Sequence, residues 1–132
     1  MDFKRLLILL VFFVFVVLTA SRIVNAQTQA PHSDERAQVI NLLKCIENDQ
    51  YGAFVEGGSD YFKSRISEEH FHNVSERLAQ HLKNGYEVKF LTEFKQADLV
   101  GTLWKIEYRD GFDDALVKIF MENGKIAGFW FQ

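Results

Sequence analysis

Two hydrophobic periods divide the chain at Gly85. Before it, apolar residues recur every three or four positions, the spacing of one helix face. Ala37, Ile40 and Leu43, with Val39, Leu42 and Ile46, predict a helix from Ser33 to about Asn48. Ser33 is placed to cap it, with Asp34 and Glu35 in the first turn, where negative charge is favoured. Asp49-Gln50-Tyr51-Gly52 is a break, Tyr51 to Val55 another short helical turn, and Gly57-Gly58 its end. Tyr61 to Ile66 shows no clear period and reads as a short irregular segment. Ser67 then caps a second clear helix, with Glu68 and Glu69 in its first turn and an apolar stripe of Phe71, Val74, Leu78 and Leu82. Lys83 falls in its last turn, and Gly85 is the stop.

From Tyr86 the period is 2. Tyr86, Val88, Phe90, Thr92 and Phe94 alternate with Glu87, Lys89, Leu91, Glu93 and Lys95, which predicts a strand. After Ala97-Asp98 a second strand follows, with Thr102, Trp104, Ile106 and Tyr108 on one side. Asp110-Gly111 opens a turn, and Ala115 to Gln132 reads as a hairpin closed by Asn123-Gly124. Helices followed by four consecutive antiparallel strands predict an α+β fold, with the helices on one face of a curved meander.

A two-residue turn pairs Glu122 with Lys125. A regular ladder then sets Met121 opposite Ile126, Ile119 opposite Gly128 and Val117 opposite Trp130. The inner face expected on this register is Trp104, Ile106, Val117, Ile119, Met121, Ile126 and Trp130. The outer face carries Leu103, Leu116, Phe120, Phe129 and Phe131 among charged residues. A contiguous apolar patch of that kind is rarely left exposed, so these five are the candidate face of a homodimer.

The first residues read differently. Lys4 and Arg5 precede an unbroken apolar run, Leu6 to Leu18, and Val24-Asn25-Ala26 has the small-x-small form of a cleavage site. Thirteen apolar residues rise only about 20 Å as a helix, short of the roughly 30 Å of bilayer hydrocarbon. The expectation is a signal peptide over 1–26, a flexible leader over 27–32 and a single domain over 33–132. The protein is then exported, to a periplasm or the extracellular medium, with no stable membrane insertion after cleavage. The remaining 106 residues hold 12 basic and 17 acidic side chains, a net charge of −5 with His neutral. An acidic balance without basic runs argues against nucleic acid as a partner. The lone Cys45 cannot form an internal disulfide and reads as a buried apolar residue on the first helix.

Several stretches carry a resemblance. They are Asn48-Asp49-Gln50-Tyr51-Gly52-Ala53-Phe54 after the first helix and Phe62-Lys63-Ser64-Arg65-Ile66-Ser67-Glu68-Glu69-His70-Phe71 leading into the second. With them go Gly85, and Asn123-Gly124-Lys125-Ile126-Ala127-Gly128-Phe129 near the end. Together they resemble the NTF2-like, or cystatin-like, α+β superfamily, and within it the small secreted bacterial domains of unknown function. The resemblance spans nearly all of residues 27–132 and implies helices packed on a strongly curved four-stranded sheet, with a pocket between them. That superfamily hosts isomerases, cyclases, dehydratases, transport factors and binding modules, so fold alone gives no activity. None of its catalytic positions maps onto a residue here.

Motif chemistry is sparse. His70 and His72 are two apart on a helix and do not share a face. Glu69, His72 and Glu76 do share one, but a metal site would need a second helix bringing matching ligands, so no metal is expected. Nucleophile elbows, Gly-rich phosphate loops and paired cysteines are lacking, and no cofactor is expected. Asp110, Asp113 and Asp114 read as a solvated turn rather than a calcium loop. Tyr86, Trp104, Tyr108 and Trp130 are expected to line the pocket, with Tyr51 and Tyr61 at its mouth. A non-catalytic module binding a small apolar ligand or a protein partner is the first reading. An isomerase, cyclase or dehydratase acting on a small hydrophobic substrate is the alternative.

Overall fold

The computed structural model describes residues 32–132, so the expected signal peptide and most of the leader lie outside the described residues. The helices are α1 (Ser33–Glu47), α2 (Tyr51–Glu56), α3 (Asp60–Arg65) and α4 (Glu68–Lys83), and the strands β1 (Tyr86–Gln96), β2 (Leu99–Tyr108), β3 (Ala115–Glu122) and β4 (Lys125–Phe131). The strands form one antiparallel meander in the order β1-β2-β3-β4, which makes the fold α+β. No helix among the described residues is long and apolar enough to cross a membrane.

Local chemistry explains most boundaries. The Ser67 hydroxyl accepts from the His70 N–H at 3.3 Å, capping α4 as its sequence suggests. Gly85 follows α4 at φ +99°, a conformation in which a side chain would be strained. Two expectations need correction. Ser33 is the first residue of α1 and not its cap; that place is taken by His32 in the left-handed region, whose side chain makes no capping bond. The segment expected to be irregular is α3, started by the Ser59 hydroxyl, which accepts from the Phe62 N–H at 3.2 Å.

The core lies between the sheet and α1 and α4. Val39, Leu42, Leu43 and Ile46 on α1 and Phe71 and Leu82 on α4 pack onto Trp104, Ile106, Val117, Ile119 and Ile126. Burying side chains of this size is worth about 1.5–3 kcal/mol each before chain entropy is subtracted. Ser75, buried on α4, donates its hydroxyl to the Ile46 carbonyl and pins α4 to the last turn of α1.

Two bulges redistribute the sheet faces. In β1, Phe90 pairs with Trp104 but Thr92 pairs with Leu103, so Leu91 is the extra residue. Because side chains alternate, one added residue sends everything beyond it to the opposite face. Phe94 therefore leaves the inner face and packs edge-on against Phe120 at 5.2 Å on the outer one. In β4, Glu122 pairs with Lys125 and Met121 with Ile126 as expected, but Phe120 then pairs with Gly128, leaving Ala127 extra. Ile119 faces Phe129, and Val117 faces Phe131. Phe129 and Phe131 thus belong to the inner face and pack against the core, whereas Trp130 is outer and half-exposed.

The expected outer patch changes accordingly. Of its five candidates, Phe129 and Phe131 turn inward, and Phe120 is buried although it stays on the outer face. Phe120 lies under Phe94 and Trp130, with ring centroids at 5.2 and 5.6 Å. Room for its ring comes from Gly101, where a Cβ would stand 2.6 Å from Phe120. Leu103 is half-buried and Leu116 exposed.

Candidate functional site

A cleft of about 600 Å³ opens between α4 and the β3–β4 side of the sheet. One wall is the stripe of α4: Phe71, Val74 and Leu78. Ala115, Phe129 and Phe131 line it from the sheet, Ile46 and Phe54 from α1 and α2, and Tyr108 and Phe112 from the end of β2 and the following loop. Polar groups are few: His70 and Arg77 on α4, Asp113 and Asp114 on the loop, and Gln132. Aromatic contacts tie the wall together, with Phe54 4.9 Å from Phe71 and 5.6 Å from Phe129.

The six aromatics singled out in the sequence are dispersed. Tyr108 lines the cleft, and Trp130 borders it on β4 although its ring lies on the outer face against Phe120. Tyr51 stands beside it: its hydroxyl donates to the Ile66 carbonyl at 3.0 Å, and its ring meets Phe71 edge-on at 5.8 Å. Tyr61 is 68% exposed. Tyr86 sits opposite Tyr108 on β1. Trp104 is core, its indole N–H donating to the Thr102 hydroxyl at 2.8 Å. Phe54, Phe112, Phe129 and Phe131 went unrecognised as lining residues. For Phe112 a signal existed, an aromatic ring within an acidic turn. For Phe129 and Phe131 the bulge at Ala127 hid it.

Tyr108 is the unusual member. It is 93% buried, and its hydroxyl has no hydrogen-bond partner. A buried hydroxyl without a partner costs about 1–3 kcal/mol. Burial, reinforced by the nearby Asp110 charge, pushes its pKa up to about 12. At neutral pH it is a neutral hydrogen-bond donor.

Asp110 stands behind this end of the cleft, between the lining residues Tyr108 and Phe112 in the chain. Its Oδ2 accepts from Asn84 Nδ2 at 3.0 Å and from His81 Nδ1 at 2.8 Å, and its Oδ1 accepts from the Phe112 N–H at 3.1 Å. The turn is exposed, as expected, and Asp110 within it clamps the β2–β3 loop to the C-terminal turn of α4. It also sets Phe112 flat on His81, with ring centroids 3.8 Å apart and planes 10° from parallel. The bonds from Asn84, His81 and Phe112 hold the Asp110 carboxyl down at about 2, against 3.8 ordinarily. A depressed carboxyl stabilises the folded state above its unfolded pKa and loses that contribution as pH falls through the folded value. Asp110→Asn is therefore expected to melt below wild type at pH 6, with the gap closing as pH falls from about 4 to about 2. A gap equally wide at pH 2 and pH 6 in thermal melts would show that the carboxylate charge is not what holds the loop.

Elsewhere the charged side chains serve the surface. On the outer face Lys89 meets Glu107 at 2.6 Å, and Lys105 contacts Glu107 and, at 3.5 Å, Asp114. His72 bonds Asp49 at 2.5 Å and lies 3.6 Å from Glu68, not with Glu69 or Glu76. Among the described residues, no three His, Cys, Asp or Glu side chains converge as a metal site would require.

No protein-family model matches the chain, and no curated protein matches it. The chain is similar to solved structures of unknown function. One is an NTF2-like protein from Cytophaga hutchinsonii, at 15% identity and TM-score 0.38, covering 74% of this chain and 88% of that one. Another is an uncharacterised cystatin fold protein from Novosphingobium aromaticivorans, at 12% identity and TM-score 0.39, covering 73% of this chain and 95% of that one.

Proposed function

We propose that this protein is a small exported binding module that holds an apolar ligand in the cleft between α4 and the sheet. The observation that carries this reading is the cleft itself, about 600 Å³ and mostly apolar, with a few polar groups among its lining. Ligand sites span about 300–1,000 Å³ and have that same make-up. Export rests on the basic start, the apolar run Leu6 to Leu18 and the Val24-Asn25-Ala26 site.

Binding fits Tyr108 and Asp110, the two strongly shifted groups at this end of the molecule, better than catalysis does. A general base works best with a pKa near the working pH. Tyr108 stays protonated and Asp110 stays ionised, each shifted away from neutrality, and Asp110 is already engaged by three donors. A single chain is the binding unit in this reading. Of the five residues expected to form the outer patch, Leu116 alone is exposed, whereas a stable interface takes about 20–30 residues a side.

The test uses the protein expressed from its full sequence, with N-phenyl-1-naphthylamine as a neutral apolar fluorophore. Saturable binding at one probe per chain is expected. Val74→Trp, which fills the cleft from α4, is expected to weaken binding about tenfold or more while the protein still unfolds cooperatively. Binding that never saturates, or that Val74→Trp leaves unchanged, overturns the reading. Native mass spectrometry of the same sample is expected to show monomers beginning at Gln27.

A further inference from the structure

We propose that Tyr108 is the polar anchor of the cleft, its hydroxyl donating to an acceptor oxygen, such as a carbonyl, on an otherwise apolar ligand. The inference rests on the cleft being a ligand site and names the class of ligand it takes. Three observations carry it.

First, the hydroxyl is a donor without a use. It is buried and has no partner, whereas buried polar side-chain atoms are ordinarily satisfied. Trp104 Nε1 and the Ser75 and Tyr51 hydroxyls all have acceptors. An unsatisfied donor in a residue that lines a cleft is what an acceptor from outside the chain would complete.

Second, the cover over Tyr108 is separable from the core. Phe112 packs edge-on against the Tyr108 ring at 5.3 Å and is itself 44% exposed. It sits in the loop between β2 and β3, held by its N–H bond to Asp110 and its stack on His81. Swinging Phe112 aside breaks no strand pairing, so a ligand can take its place against Tyr108.

Third, the donor keeps its proton. Burial holds the phenol far above neutral pH, so it seeks an acceptor and offers no charge to an ammonium group. A neutral carbonyl is the simplest acceptor to test, because the charged lining is mixed, with Arg77 on α4 against Asp113 and Asp114 on the loop.

The test is a matched pair of probes, 2-acetylnaphthalene and 2-isopropylnaphthalene, of similar shape but with and without a carbonyl. Both are titrated against wild type and Tyr108→Phe, each expressed from the full sequence, by displacement of N-phenyl-1-naphthylamine. Wild type is expected to prefer the acetyl probe about tenfold, and Tyr108→Phe to abolish the preference while leaving the isopropyl probe unchanged. Tyr108→Phe is expected to melt at or above the wild-type temperature, since it loses a hydroxyl that has no partner. Phe112→Ala retains the hydroxyl and removes its cover, and is expected to keep the acetyl preference. If the fluorophore binds but wild type shows no preference, or Tyr108→Phe retains it, the anchor is overturned and the cleft reading stands. If neither the fluorophore nor either probe binds, both are overturned together.

Discussion

Trp104→Ala is expected to destabilise the protein by about 3–5 kcal/mol, the range for emptying a buried aromatic site. Trp104 is 1% exposed on the inner face of β2. It faces Val117 across the ladder and meets Phe90 edge-on at 5.3 Å. Alanine would leave a void that the paired strands cannot close, because their separation is set by backbone hydrogen bonds. It would also strip Thr102, itself buried, of the indole N–H that its hydroxyl accepts. Small domains retain only about 5–15 kcal/mol in all, so the variant should unfold at markedly lower urea with an unchanged slope. A loss under about 1 kcal/mol would mean that Trp104 borders open space, as a wall of the cleft would, and the core described above would be wrong.

The second large effect separates two neighbours on β4. Phe129→Ala is expected to cost about 2–3 kcal/mol, and Trp130→Ala about 1 kcal/mol. A regular ladder running back from Asn123-Gly124 puts Trp130 inside and Phe129 outside, and predicts the opposite order. The bulge at Ala127 reverses the two. Phe129 then meets Phe54 edge-on at 5.6 Å and packs on the core, whereas Trp130 is 50% exposed. Trp130 does shelter Phe120 and lies under the Lys118 ammonium at 5.9 Å, so its removal has some cost. Chemical denaturation of the two variants side by side decides the matter. Equal losses, or a larger loss at Trp130, would show that the strand runs without its bulge.

The same two residues mark where reading from sequence stops. The Asn123-Gly124 turn and the Glu122–Lys125 and Met121–Ile126 pairs next to it were legible, because turn chemistry sets register locally. Beyond Ile126 one extra residue changes every face assignment, and Ala127 bears no compositional mark of a bulge. The Leu91 bulge moved Phe94 in the same way. The helix α4 was legible in full, since its cap, stripe and stop all act within a few residues. The helix α3 was missed because its six residues hold no apolar period beyond Tyr61 and Phe62 and no glycine marks its end. Only the Ser59 cap and Asp60 in its first turn betray it.

The candidate site was less legible than the fold. The stripe of Phe71, Val74 and Leu78 was read correctly as one helix face, but periodicity cannot say whether such a face meets side chains or open space. That depends on how far α4 stands from β3 and β4, which Ser75 on Ile46 and the Asp110 clamp on His81 and Asn84 help to set. The exposure of Asp110 is legible but its three donors are not, because two of them come from the end of α4, far along the chain. Alternation along β2 places Tyr108 near the cavity, yet nothing in the sequence shows that its hydroxyl lacks a partner.

By itself, then, the sequence determined the elements whose causes are local: four strands, two long helices, the order that makes them α+β, and the Asn123-Gly124 turn that joins the last two strands. Tertiary structure alone decided which aromatics beyond the two bulges face inward, how Phe120 is covered and where a cleft is left. These depend on bulges and on contacts between residues far apart in the chain, and packing energy is set by those distances and not by the order of residues along a segment.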